Sequence, residues 1–337
     1  MNAKVEIEHV HDKYIYLDWN VFKYMKNPRM DKNEVDKEFY QAVCMLKKRY
    51  RFPTSLAHIK DRLRNYSVEH RKDIEDDFEF AYSVSEGKYV SFIAQEKGLG
   101  IVTADIRAAI DEYLNECNEE KTLSLPGDYG WGTALIDIDK LDSKHPMYEY
   151  LKNHNAEFNA NNMKEFLEDL YQNIFDDNLK YSALRDWIRS FDINETTFYI
   201  NNFSEMSMLD SLMYKMGPFL LSFSCSDIDE LALKWKDVAK RYFGDGVKEP
   251  SLEQLLMQGY TLLDMHPLLK KDKLKKRKNT LDNIIRDGNH CYYASGARYF
   301  VTEDEGTRIK AQFLYKAYGI DTKVLSMEEF VNKICVF

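Results

Sequence analysis

The spacing of apolar and polar positions changes twice along the chain. Tyr14-Ile-Tyr-Leu-Asp18 is a short run of strand-forming residues ending in an acid, and it predicts a buried strand. Asn20 to Lys26 reads as a short helix stopped before Pro28. Between Lys32 and Arg49, the residues Val35, Phe39, Val43 and Leu46 fall on one stripe, so a helix is expected there. Pro53-Thr54-Ser55 places a hydroxyl cap before Leu56, Ile59 and Leu63, again at helical spacing. Glu69 to Ser85 predicts a further helix and Lys88 to Ile93 a strand.

From about Gly98 to Asn279 the pattern becomes mostly helical. Asp105 to Asn118, Met163 to Phe175, Tyr181 to Phe191, Met206 to Phe243 and Leu252 to Leu263 carry helical periodicity, with breaks at Gly217 and Pro218. Thr122 to Asp137 reads as a loop with a short strand. Alternation then returns. Leu281 to Ser295 is a helix, Tyr299 to Thr302 a strand, and Gly306 to Tyr318 a helix closed by Gly319. Thr322 to Leu325 is a strand, and Met327 to Ile334 a helix capped by Ser326. Strand and helix alternate at both ends, which implies an α/β fold with a parallel, three-layer sheet. Its expected core is discontinuous, residues 12–95 plus 280–335, with a mostly helical insertion or second lobe over 96–279.

The 44% apolar content is ordinary for a globular chain, so composition leaves this reading unchanged. Charge narrows the chemistry. A formal net charge of −9 gives no bulk attraction for nucleic acid, so phosphate binding would need a local basic patch or a metal. The five cysteines, Cys44, Cys117, Cys225, Cys291 and Cys335, include no Cys-x-x-Cys pair, which argues against a disulfide framework or structural zinc. Met1 to His11 is charged and has no apolar core of a secretory signal, and the longest apolar stretch, near Gly217 to Ser224, is too short to span a bilayer. A cytoplasmic protein without a membrane partner is expected.

Asp18 stands at the carboxyl end of a predicted strand, where open α/β sheets place functional groups. Alone, it reads first as a helix cap. Asp287 and His290 are three residues apart and share a helical face. Asp304 follows the strand Tyr299-Phe-Val-Thr302; on its own it would cap the next helix, and His290 on its own would be a core histidine. Two strand-end acids and one helical acid can nevertheless converge on one crevice.

These segments together resemble the PIN-domain family of metal-dependent nucleases. The resemblance rests on Leu17-Asp18-Trp19-Asn20-Val21-Phe22, on Asp287-Gly-Asn-His290-Cys-Tyr-Tyr-Ala294 with Tyr299-Phe-Val-Thr302-Glu303-Asp304, and on Ala317 to Phe330. It covers roughly the first ninety and last sixty residues. It implies a Rossmann-like parallel sheet, an acidic pocket, Mg²⁺ or Mn²⁺, and hydrolysis of a phosphodiester. Carried over, Asp18, Asp287 and Asp304 would be metal ligands. Thr302 and Asn20 would be nearby supporting groups, with Glu303 and His290 beside them. The family usually carries a further acid, most often Glu, on an early helix. Here Asp61 takes that place, sharing a helical face with His58, and Asp77 is held in reserve.

Grouped carboxylates repel one another, and a hard divalent cation, one ion or two, is their natural partner. Lys270, Lys271, Lys273, Lys275, Lys276, Arg277 and Lys278 stand just before the helix of Asp287 and are candidates for holding substrate phosphate. Alone, such a run is a solvated face. The expected function is thus a metal-dependent nuclease, an endoribonuclease before a DNA-cutting enzyme because the family mostly acts on RNA. A stand-alone protein of this kind could be a toxin or phage-defence effector, with an inhibitor or activator protein as a further partner; nothing in the residues identifies which. A catalytically inactive PIN-like module that binds RNA or protein is the alternative. A Mg²⁺-dependent phosphatase would need an Asp-x-Asp pair, where this chain has Asp18-Trp-Asn20.

Overall fold

The computed structural model describes residues 7–8, 14–64, 66–94, 96–103, 105–117, 134–135, 138–140, 143, 148–153, 155, 157–158, 178–189, 217–243, 249–269 and 280–334. The chain divides into two compact units, Met1–Glu120 with Arg286–Phe337, and Lys121–Ile285.

In the first unit the chain runs through β1 (Ile7–Glu8), β2 (Ile15–Leu17), α1 (Trp19–Lys26), α2 (Asn33–Leu46), α3 (Leu56–Leu63), α4 (Arg71–Ser85), β3 (Lys88–Ile93), β4 (Gly98–Thr103) and α5 (Ile106–Cys117). It returns through α6 (Leu281–Ala294), which joins this unit from Arg286 onward, then β5 (Tyr299–Val301), α7 (Glu305–Tyr318), β6 (Lys323–Leu325) and α8 (Met327–Ile334). The fold is mixed α/β. Its centre is a three-stranded parallel sheet, β2–β5–β6, with Leu17 paired to Val301 and Val301 to Leu325.

Irregular backbone extends this pairing. Tyr14 forms a parallel bridge with Arg51, and Thr54 forms one with Tyr89 of β3. The hydrogen bonds Ile15 N to Arg51 O at 2.9 Å and Val90 N to Thr54 O at 2.8 Å accompany them. In space the parallel segments therefore follow the order β3, residues 51–54, β2, β5, β6. From β2 the chain first builds outward to one side, and it later returns to build outward from β2 on the other. The order reverses between β2 and β5.

Side chains alternate across the sheet. Ile15, Leu17, Tyr299 and Val301 enter a core shared with Phe22 of α1, Phe39 of α2, Phe78 of α4 and Phe330 of α8. Tyr16 and Phe300 point the other way. There Tyr16 reaches His290 of α6, and Tyr315 of α7 donates to the Cys291 carbonyl at 2.6 Å. Helices thus cover both faces, which is why β2 and β5 are buried at every position. The stripe expected on α2 holds: Phe39 and Val43 are fully buried, and Val35 and Leu46 pack against the same core. Gly319 ends α7 with φ +69°, a left-handed conformation that favours glycine.

Two expectations need correction. Gly98–Thr103 is a strand, not the start of a helical insertion; it pairs antiparallel with β3 along six residues. Gly98 and Gly100 weaken its local strand signal, and cross-strand hydrogen bonding supplies what propensity does not. Accordingly the first unit continues to Glu120, beyond the expected boundary at 95. Residues 217–221, which include Gly217 and Pro218, are helical, and the positions before them that bear on a break there lie outside the described residues. A non-helical stretch at 225–227 precedes the helix Ile228–Phe243.

In the second unit the described helices include Asn178–Arg189, Ile228–Phe243 and Leu252–Asp264. Tyr181 donates to the buried carboxylate of Asp264 at 2.6 Å, and Arg189 donates twice to the Asp264 carbonyl. The helix expected over Met163 to Phe175 and the basic run from Lys270 to Lys278 lie outside the described residues. Among the described residues no helix is long and apolar enough to cross a membrane.

A charged clamp fixes the C-terminal part of the first unit to its N-terminal part. Arg29 donates to both oxygens of Asp36, whose side chain is fully buried, and to Glu303 at 2.7 Å. Glu303 also accepts the Met327 N–H at 2.9 Å, at the start of α8. Arg29→Met would leave the Asp36 charge buried without its partner, at a cost of about 3 kcal/mol. Urea unfolding should show that loss, and Asp36→Asn in the same chain should restore part of it. Strictly additive effects would mean that the two residues are not coupled.

Candidate functional site

Ligand-binding crevices of open α/β sheets open at the carboxyl ends of the strands where strand order reverses. Here that position lies between the ends of β2 and β5, at Asp18 and Thr302. Parallel pairing sets it: the Asp18 N–H donates to the Val301 carbonyl at 2.9 Å, so the residue after β2 sits beside the residue after β5.

Asp18 occupies the N-cap position of α1, yet its side chain makes no capping hydrogen bond. Its Oδ2 accepts from Thr302 Oγ1 at 2.7 Å, and its Oδ1 stands 3.9 Å from His290 Nε2. The capping explanation of this aspartate therefore fails. Thr302 is also held from the other side, accepting the Asp304 N–H at 3.2 Å.

Asp61 reaches the same place from α3. Its Oδ2 pairs with His290 Nε2 at 3.0 Å and its Oδ1 with Arg286 Nε at 3.1 Å. One ligand atom each from Asp18, Asp61 and His290 lie within 4.8 Å of one another, and these three form the one group of metal-ligating type among the described residues. Arg286 and His290 are four apart on α6 and so share the face that presents Asp61 with two cations or donors.

Asp287 and Asp304 complete the acidic surroundings without joining that tight group. Asp287 is half-buried on α6, and burial together with the charges of Asp304, Asp61 and Asp18 pushes its carboxyl well above the usual range, against the pull of Lys310. Asp304 is exposed and caps α7 through Oδ1, which accepts the Thr307 N–H at 2.8 Å. Burial likewise raises Asp18, offset by His290 and Thr302 and reinforced by Asp61 and Asp304. For Asp61, burial pushes upward, but His290 and Arg286 outweigh it and leave the carboxyl below its ordinary value. Its partner His290 moves the opposite way: burial lowers it, and the hydrogen bond and charge of Asp61 more than reverse this.

Other candidates serve the scaffold. Asn20 lies half-buried in the first turn of α1, outside the tight group. His58 shares a helix with Asp61 but turns away from the acids: Nε2 meets the Leu17 carbonyl at 2.7 Å and Nδ1 accepts the Ser55 N–H at 2.9 Å. Glu303 does not face the cleft, because Arg29, Lys32 and the Met327 N–H occupy its oxygens. Asp77 is no substitute for Asp61, because Lys26 and Arg62 each bind one of its oxygens at 2.7 Å. Two participants had no weight in the sequence reading. Arg286 was legible as a cation beside Asp287; Tyr16, a polar tip inside a strand, gave only its position next to Leu17. Comparison with family models, with curated proteins and with solved structures finds no match.

Two outcomes follow from these electrostatics. Asp287→Asn, which removes one of the mutually repelling acids, should stabilise the protein in EDTA by about 1 kcal/mol; destabilisation of that size would mean that the repulsion is already relieved by other groups. His58 is kept neutral by burial, which lowers it from 6.5 to about 3. Between those values the unfolded chain takes a proton that the folded chain refuses, so this group's stabilisation is lost as pH falls from 6.5 toward 3. His58→Gln should flatten the pH dependence of stability in that window by up to ~1.4 kcal/mol per pH unit. Parallel curves for the two proteins would show that His58 titrates normally.

Proposed function

We propose that the first unit is a PIN-like, Rossmann-like domain that hydrolyses phosphodiester bonds in nucleic acid, RNA before DNA, with Mg²⁺ or Mn²⁺. The observation that carries this reading is the convergence of Asp18, Asp61, Asp287 and Asp304 at the switch point of a parallel sheet. The strand order β3, 51–54, β2, β5, β6 agrees with a Rossmann-like arrangement.

The residues fit a divalent cation. Asp18 is only 6% exposed; its Oδ2 is held by Thr302, and its Oδ1 stands 3.9 Å from His290 Nε2, in the group it forms with Asp61. Asp18 and Asp61 would hold the ion, with Asp287 and Asp304 in the surrounding field. When bound, such an ion supplies a water of lowered pKa and neutralises charge on the scissile phosphate. The chain's own groups do the positioning. Thr302 fixes the rotation of the Asp18 carboxylate, while Arg286 and His290 fix that of Asp61. The α1 and α7 N-termini, at Asp18 and Asp304, add positive partial charge where a phosphate would approach.

One observation supports the competing reading of an inactive binding module: Asp61 already has two partners, Arg286 and His290, so it is not a free acid. Cleavage decides between them. End-labelled single-stranded RNA and DNA are incubated with the protein in Mn²⁺, Mg²⁺ or EDTA, beside Asp18→Asn. Wild type should cut RNA in metal, and Asp18→Asn should fall to the EDTA level with its circular dichroism unchanged. Faster cutting of DNA would reverse the substrate preference. Retention of nucleic-acid binding without any cutting would favour the module.

A further inference from the structure

Behind the cleft runs a buried line of hydrogen bonds that ends on His290. The Leu17 carbonyl only accepts, so His58 Nε2, 2.7 Å away, carries a proton. The ring is neutral, so the one lone pair of His58 Nδ1 takes the Ser55 N–H at 2.9 Å, and Ser55 Oγ lies 3.0 Å from that nitrogen. The Ser55 and Tyr16 hydroxyls are hydrogen-bonded at 2.7 Å, and the Tyr16 hydroxyl is hydrogen-bonded to His290 Nδ1 at 2.8 Å. On its other side His290 Nε2 stands 3.0 Å from Asp61 Oδ2 and 3.9 Å from Asp18 Oδ1. A carboxylate only accepts, so Nε2 directs a proton at Asp61 while Tyr16 holds Nδ1.

We propose that His290 Nε2 is a nitrogen ligand of the cation in this cleft, oriented by Tyr16, and that the site consequently selects a first-row transition ion such as Mn²⁺ over Mg²⁺. This rests on the metal-dependent reading above and goes beyond it by naming the donor set and the class of ion. Mg²⁺ favours an all-oxygen shell, whereas imidazole nitrogen suits transition ions. A ligating histidine characteristically has its other nitrogen fixed by a hydrogen bond, and Tyr16 is that partner. The spacing also agrees. Adjacent ligands of an octahedral ion with bonds of about 2.1 Å stand about 3 Å apart, and His290 Nε2 and Asp61 Oδ2 are 3.0 Å apart. Asp18 Oδ1, 3.9 Å from His290 Nε2, supplies the third side. Ligation moves the proton that Nε2 directs at Asp61 to solvent or to Nδ1 and leaves the imidazole with one proton, on Nδ1, donated to the Tyr16 oxygen. Tyr16 is a positioning residue: its hydroxyl bonds His290 and Ser55 and neither carboxylate.

The test is pulsed electron paramagnetic resonance on the full chain loaded with Mn²⁺, read for the ¹⁴N coupling of a directly bound imidazole. Wild type should show it. His290→Gln should abolish it while still binding Mn²⁺, about 10-fold more weakly, with Mg²⁺ affinity little changed. Tyr16→Phe should keep the coupling, alter its strength and weaken Mn²⁺ binding by about 10-fold, an effect that a merely structural tyrosine would not exert on a ¹⁴N signal. Mn²⁺ bound to wild type without nitrogen coupling, or coupling that survives in His290→Gln, would overturn the assignment and leave a metal site of oxygen ligands. Failure of wild type to bind Mn²⁺ at millimolar concentration would overturn this assignment together with the metal-dependent reading.

Discussion

The parallel register of β2 on β5 is the constraint from which the site follows. Pairing Leu17 with Val301 brings together residues separated by 284 positions, and the next residue on each strand is then Asp18 or Thr302. Because both strands are buried on both faces, the register is strongly specified. A slip of β2 by one residue would turn Tyr16 into the core of α1, α2 and α8 and carry Asp18 out of reach of Thr302. The same pairing determines what the helices can present. α6 lies on the Tyr16 face, so His290 and Arg286 arrive behind the strand ends, and α3 delivers Asp61 from the segment that leaves residues 51–54.

Three consecutive residues show how closely structural and chemical roles are interleaved. Thr302 holds Asp18, Glu303 ties Arg29 to the start of α8, and Asp304 caps α7. Acids in this unit accordingly belong to two groups. Asp36, Asp77 and Glu303 are neutralised by arginine or lysine and support the scaffold. Asp18 faces His290 rather than a lysine or arginine, and Lys310 only partly offsets Asp287, so burial with mutual repulsion raises both. Asp61 lies between the groups, because Arg286 and His290 neutralise it inside the cleft itself.

Much of the scaffold was legible because it is periodic. The α2 stripe, the strand run before Asp18, the Gly319 terminus and the Ser326 cap, where Glu329 N meets Ser326 Oγ at 3.1 Å, each have a local physical signature. β4 lacked one, since two glycines erase strand character that its pairing with β3 restores. The bridging segment 51–54 has too few ordered residues to be read as a strand at all. For the site, helical spacing placed Asp61 and His58 on one face and Asp287 and His290 on another, but spacing does not choose partners. His58 went to a backbone carbonyl and His290 to the acids, because those contacts depend on α3 and α6 meeting across the sheet edge. The acid pairings of Glu303 and Asp77 are equally non-local.

Capping and function proved compatible rather than exclusive. A carboxylate has two oxygens and a cap uses one: Asp304 gives Oδ1 to the Thr307 N–H and still contributes its charge to Asp18 and Asp287. Asp18 does the converse, standing at the N-terminus of α1 while turning its side chain toward Thr302. Both helices therefore direct their N-terminal ends, with their positive partial charge, at the cluster. This fixed field offsets part of the repulsion among the acids without consuming their oxygens as a lysine or arginine would. A cleft built this way can keep several carboxylates together at the strand ends.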